Sequence, residues 1–292
     1  MTTLLCFGLG YSAQHWLEQY GRRFARIWAT VTDAKRAAEL NTGAPENFTA
    51  LVFDGAMASP ELRAAITRAD ALLTSVPPDV AGDPVLRTCG EALARARLSS
   101  IVYLSSVGVY GNYDGAWVNE ESPCRPVKDH NGHRLVAERA WQDLGVRTGV
   151  PVAVLRLAGI YGPGRSALDN VRRGKARRIA KPGQVFNRIH VADVAQTIEA
   201  AFERRADGLF NVTDDEPTPA GDPIVFVAGL LGVEPPPEIP FAKARATMSE
   251  FAASFYTDVK RVRNGKLKAT LGVTLKYPTY REGLAALYDA GV

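Results

Sequence analysis

Gly8, Gly10 and Ala13 stand at G-x-G-x-x-A spacing, directly after the apolar run Thr3-Leu4-Leu5-Cys6-Phe7. Each position has its own physical reason. Gly8 can take the tight turn that leaves a strand. Gly10 has no side chain, so a pyrophosphate can approach the backbone. Ala13 is small enough for close helix–strand packing. A helix beginning at Tyr11-Ser12 presents unpaired N–H groups and partial positive charge to phosphate oxygens. The chemistry implied is dinucleotide binding; an ordinary turn is the alternative that a G-x-G pair leaves open.

Further candidates follow along the chain. Thr32-Asp33 lies about 20 residues past the turn, where an acidic side chain bonds adenosine ribose hydroxyls. Asp33 reads equally as the N-cap of a helix over 34–40. Lys35 and Arg36 could instead accept a 2′-phosphate, so NAD is favoured and NADP stays open. Asp54 and Ser75-Val76-Pro77 follow short apolar runs and are candidates for lining the adenine and the dinucleotide linker, or are plain loop residues. The four histidines show no metal-ligand spacing, and no G-x-S-x-G elbow appears. Cys6, Cys89 and Cys124 are too scattered for a disulfide framework or zinc site and fit a reducing cytoplasm.

The elements that must position these groups are legible as well. Apolar runs at 26–31, 50–53, 70–75 and 101–105 read as strands buried on both faces. Helical patterns open at Asp33, Pro60 and Asp83. The alternation predicts an α/β fold, a doubly wound parallel sheet of Rossmann type. The 292 residues, 46% hydrophobic and 23% charged, suit a globular protein. No run approaches the ~20 apolar residues of a membrane span. The apolar start lacks a basic n-region, so it reads as a strand and not as a signal peptide. Net charge is +4, with basic stretches at Arg172–Arg178 and Lys260–Lys268. Neither carries a recognition-helix or RNA-binding signature, so nucleic acid is not the expected partner.

Leu104-Ser105-Ser106-Val107-Gly108-Val109-Tyr110-Gly111 resembles the S-S-x-x-V-Y-G segment of extended short-chain dehydrogenases/reductases, the NAD-dependent epimerase/dehydratase family. Asn119-Glu120-Glu121-Ser122-Pro123 is similar to its acidic-proline loop. Arg156 to Arg165 resembles the R-x-x-x-x-Y-G-P-G turn, and Ile189-His190-Val191-Ala192-Asp193-Val194-Ala195 the I-H-V-x-D-V-A segment. Asn211 to Pro217 resembles N-V-x-D-D-E-P, and residues 260–284 resemble the C-terminal lobe. The G-x-G-x-x-A turn departs from the G-x-x-G-x-x-G of typical members and is closer to an atypical branch.

The resemblance implies a cofactor-binding core over 1–157 with return elements 187–212, and a smaller substrate lobe from 158–186 and 213–292. It implies a serine that orients the substrate oxygen, a tyrosine that moves the proton and a lysine one helical turn later. Ser106 matches the serine. Aligned on Ala137-Glu138, the Y-x-x-x-K motif falls on His130 to Arg134, so histidine and arginine replace both residues. Histidine can carry protons, and arginine keeps the positive charge for a ribose. The resemblance further places Arg134, Ala158 and Gly159 at the cofactor, and Tyr110, Tyr161, Arg165 and His190 at the substrate. It puts the Arg172 to Lys181 loop against the substrate and the 260–268 stretch on a helix with a solvated basic face.

The implied activity is NAD(P)-dependent oxidoreductase or epimerase chemistry on a small carbinol or carbonyl compound, nucleotide sugars included. The alternative is an NAD(P)-binding sensor, since fungal nitrogen-repression regulators resemble this family and also lack the tyrosine. A small molecule is the expected partner, and a homodimer the candidate assembly.

Overall fold

The computed structural model describes residues 2–292. The apolar run ahead of the glycine turn is β1 (Thr3–Phe7), followed by α1 (Tyr11–Tyr20), β2 (Arg26–Val31), α2 (Ala34–Asn41) and β3 (Phe48–Val52). Then come α3 (Pro60–Arg68), β4 (Ala71–Thr74), α4 (Pro84–Arg95), β5 (Ser100–Ser106), a short β6 (Trp117–Val118), α5 (Asp129–Thr148) and β7 (Val152–Leu157). Seven strands form one parallel sheet in the order β3-β2-β1-β4-β5-β7, with β11 (Gly208–Val212) outermost beside β7. Strand order reverses between β1 and β4, which opens a crevice beyond their carboxyl ends.

Strand periodicity decides what each sheet face buries. Leu4 and Cys6 point to the layer of α1, where Trp16 stacks on Phe202 at 5.3 Å between ring centres. Leu5 and Phe7 point to the opposite layer, with Leu62, Val85 and Trp141. Every residue of β4 and β7 is buried, as strands covered on both faces must be. Helix starts follow local chemistry. Ser59 accepts the Leu62 N–H ahead of Pro60, and Asp83 accepts the N–H groups of Val85 and Leu86. Helix α5 ends at Gly149, at φ +72°.

Between α5 and the sheet lies a buried charge cluster. Arg156 donates from Nε and Nη2 to both oxygens of Glu138, at 2.7 to 3.2 Å. The Ser105 hydroxyl also donates to Glu138. The guanidinium carbon sits 4.8 Å from the centre of the Tyr110 ring.

The rest of the chain comprises β8 (Gly159–Tyr161), α6 (Ala167–Arg172), β9 (Arg178–Ala180), β10 (Arg188–His190) and α7 (Val191–Glu203), then α8 (Asp222–Leu231), β12 (Glu238–Pro240), α9 (Phe241–Arg245), α10 (Glu250–Ser254), β13 (Arg261–Val262), α11 (Gly265–Leu271) and α12 (Tyr280–Asp289). Of these, α7 and α11 complete the layer that holds α1, and the other segments build a smaller lobe beside the crevice. Leu168, Val227, Tyr280 and Leu284 form that lobe's own apolar cluster.

The 260–268 stretch differs from the expected solvated helix. Lys260 is buried, Arg261–Val262 pairs with β6, and only the following residues form α11. Among the described residues, no helix is long and apolar enough to cross a membrane.

Candidate functional site

The glycine turn is held from two sides. Thr30 of β2 accepts the Gly8 N–H on Oγ1 at 3.0 Å and the Leu9 N–H on its carbonyl at 2.8 Å. Ser75 donates its hydroxyl to the Gly8 carbonyl at 2.6 Å. Gly8 has φ +84°, and a Cβ there would stand 2.9 Å from Ser75 Oγ, so glycine is required on both counts. Gly10 is the N-cap of α1 without a side-chain cap, and a Cβ added to it meets nothing within 4 Å. The first N–H groups of α1 therefore border open space.

That space is a cavity of about 290 Å³, bordered by Gly10, Tyr11 and Ser12 on one side and by Ser106, Arg134 and Arg165 on the other. A second cavity of about 360 Å³ adjoins it and shares Ser106, Arg134, Ala158 and Arg165 with the first. His130 and Gly159 line the second cavity. The structure thus gathers Ser106, His130, Arg134, Arg165, Ala158 and Gly159 at one junction.

Each polar group there has a definable state. Ser106 Oγ accepts the Gly108 N–H at 3.0 Å, which leaves its own proton to donate elsewhere. Arg134 Nη1 donates to the Leu104 carbonyl at 3.0 Å, which fixes the fork across both cavities. Burial, with the Lys128 and Arg134 charges, holds His130 below the usual imidazole range. The imidazole is therefore neutral near pH 7.

The nucleoside side is simpler. Thr32 and Asp33 are exposed beyond β2, and one Asp33 oxygen caps α2 through the Arg36 N–H at 2.8 Å. Asp54 is exposed and accepts the Ala56 N–H at 2.9 Å. Ser75 supports the turn, and Val76 and Pro77 follow it beyond the carboxyl end of the central strand β4. Ala13 is buried under α1.

Three expected substrate contacts lie elsewhere. Tyr110 is wholly buried, donates to Asn211 at 2.8 Å, and has its phenol pushed up to about 12 by burial. Tyr161 is buried against Gly283, and its hydroxyl reaches the Thr279 carbonyl at 3.3 Å. His190 is buried and caps α7, with Nδ1 accepting the Ala192 N–H at 3.1 Å. None of the three lines either cavity, because the motif backbone turns their side chains into the core.

The Arg172 to Lys181 loop also misses both cavities. Arg172 donates to the Val292 carbonyl, Arg178 pairs with Glu238 at 3.0 Å, and Lys181 donates to the Tyr256 carbonyl.

Other residues of the second cavity were not anticipated. Lys128, at the N-cap of α5, pairs with Asp258 at 2.8 Å. Lys260 is 7% exposed and donates to the Gly111 carbonyl at 2.9 Å. Burial pulls its ammonium down to about 8. A usable signal existed: Asp258 and Lys260 alternate along an extended segment, which puts them on one side.

The two cavities fit the two ends of a dinucleotide-dependent reaction. Uncapped N–H groups, the open Gly10 face and the Arg165 guanidinium suit a pyrophosphate, and the Arg134 fork suits a ribose. Among the described residues, no group of His, Cys, Asp and Glu is placed to hold a metal ion.

Comparison with known proteins agrees with this geometry. Residues 86–213 match the model of the NAD dependent epimerase/dehydratase family. A conserved protein of unknown function from Silicibacter pomeroyi is 40% identical, covers 99% of both chains and superposes with a TM-score of 0.89. The 3-diazoavenalumate denitrifying reductase of a Streptomyces is 34% identical over 137 residues, which is 45% of this chain and 45% of that enzyme. The chain thus spans under half the length of that curated relative. The structure of MoeE5 in complex with UDP-glucose and NAD shares the fold at 20% identity, with a TM-score of 0.75 over 97% of this chain and 96% of that one.

Proposed function

Because the chain belongs to the NAD-dependent epimerase/dehydratase family, we propose that it is an NAD(P)-dependent oxidoreductase acting on a small carbinol or carbonyl compound. One observation carries the reading. The cavity at the glycine turn and the cavity under the C-terminal segments meet at Ser106 and Arg134, with His130 on the far side.

The N–H groups of Tyr11, Ser12 and Ala13 and the Arg165 guanidinium would hold the pyrophosphate, Arg134 one ribose and Asp33 the other. A nicotinamide bound there supplies a hydride donor or acceptor. The chain's own residues do the remainder. Ser106 already accepts the Gly108 N–H, so its hydroxyl proton points a hydrogen bond at the substrate oxygen. His130, held neutral, would take the proton from a carbinol; in the carbonyl direction it would first take up a proton from solvent and pass it to the oxygen. Arg134 disfavours the imidazolium and so keeps the histidine ready as a base.

The reading is tested by cofactor titration and by NADH oxidation with a panel of small ketones and aldehydes. His130→Phe and Ser106→Ala should each lower turnover by about 10²–10⁴-fold while cofactor affinity is kept. Unchanged turnover in both variants would falsify the roles. The replaced tyrosine favours a second reading, a redox sensor. It predicts different affinities for the oxidised and reduced cofactor and no consumption of NADH with any compound of the panel.

A further inference from the structure

Lys260 is a buried charge at the wall of the second cavity. It is more than nine-tenths buried, yet among the described residues the Gly111 carbonyl is the one acceptor its Nζ reaches. An ammonium carries three N–H donors. The other two find no protein oxygen, and a buried donor left unpaired is costly. The side chain lines the second cavity.

The charges facing Lys260 come from every wall of that cavity. Lys128, His130 and Arg134 stand on α5 and its entry, Arg165 on the turn after β8, and Asp258 on its own segment. Asp258, the one carboxylate among them, is already paired with Lys128 at 2.8 Å. Lys260 thus shares its one nearby counter-charge, Asp258, with Lys128. Apolar Leu157, Val185 and Phe186 share the rest of the lining with polar Ser106, Asn131 and Asn187. Val185 and Leu157 are buried there, and Phe186 is fixed edge-on against Tyr256 at 5.2 Å between ring centres. A volume of about 360 Å³ sits near the lower end of small-molecule pockets.

We propose that the second cavity is the substrate site for a small molecule with a flat apolar body and one anionic oxygen group, and that Lys260 receives that group. The proposal rests on the reading above, in which the first cavity holds the cofactor. Lys260 is here a binding residue. The depressed ammonium agrees with the geometry, because it describes a cation waiting for a partner.

The test uses the full chain without added cofactor and three probes: benzoate, phenyl phosphate and the neutral isostere benzamide. Ligand-observed NMR at near-neutral pH should show at least tenfold tighter binding of one anion than of benzamide. Which anion wins distinguishes a carboxylate from a phosphate ester. Lys260→Met should abolish the preference. A second measurement guards against misfolding of that variant. In the unchanged protein, the preference should fade as pH rises through about 8, where Lys260 loses its proton. Equal binding of all three probes, a preference that survives Lys260→Met, or a flat pH profile overturns the proposal.

NAD titration by tryptophan fluorescence is run separately. Failure to bind NAD overturns the cofactor reading, and the probe data still judge Lys260.

Discussion

Two charge clusters lie on either side of α5, and they are built to opposite rules. In one, Glu138 accepts from Arg156 and Ser105 and is closed off in the core. In the other, Lys128, Asp258 and Lys260 border a cavity, and two ammonium groups share one carboxylate. A closed cluster contributes structure. An open one costs stability, and the cost makes sense only if a ligand closes it. The comparison separates two residue classes that look alike in sequence, both being charged residues inside family motifs.

Breaking the closed cluster should have the largest effect. Glu138→Ala strands a buried guanidinium and should cost about 3–5 kcal/mol in urea unfolding. The pair Glu138→Leu with Arg156→Met should recover much of that loss, because it removes both charges. A loss below about 1 kcal/mol in the single variant would erase the distinction between the clusters.

Titration reads the open cluster next. The folded-state ammonium of Lys260 lies near 8, below that of an unfolded lysine. Between those values the unfolded chain binds more protons, so stability rises with pH in that window. Unfolding free energy of the native protein, minus that of Lys260→Met, should therefore increase by about 2 kcal/mol from about pH 7.5 to about pH 9.5. A closed cluster would give the opposite slope or none.

Gly8→Ala calibrates both. It touches neither cluster and should cost about 1–2 kcal/mol through its positive φ alone. Its cofactor affinity should fall too, since Ser75 is pushed from the turn. Smallest of all, Lys128→Gln should change stability by about 1 kcal/mol, because glutamine still offers an N–H donor to the largely buried Asp258.

What was legible in the sequence follows from distance along the chain. The β1–α1 turn was readable because each residue type answers a demand of its own backbone. The order of strands was readable for the same reason, with edges off by a residue or two at β3. Asp33 was rightly seen as a cap, since cap and helix are neighbours.

Tyr110, Tyr161 and His190 were misread because a short motif does not say which way its side chains turn. Arg156 and Glu138 were visible as motif letters, and their pairing was not. Lys260 was hidden most deeply. Its acceptor lies 149 residues away, and only the fold brings them together. Inside a basic run, one buried lysine looks like its solvated neighbours.

One small contact reaches further than its size. The Tyr11 hydroxyl, at the first position of α1, donates to the Pro163 carbonyl at 3.0 Å, and Arg165 lies over the Tyr11 ring at 5.7 Å. A Cβ at Gly162 would strike that hydroxyl at 2.6 Å, so nothing larger fits between the start of α1 and the turn after β8. Arg165, which lines both cavities, is thereby held against α1. Thermodynamics then imposes a symmetry on their contents. Whatever factor a molecule in one cavity applies to affinity in the other must be returned unchanged in the reverse direction. Order of loading is free; the product of the two steps is not.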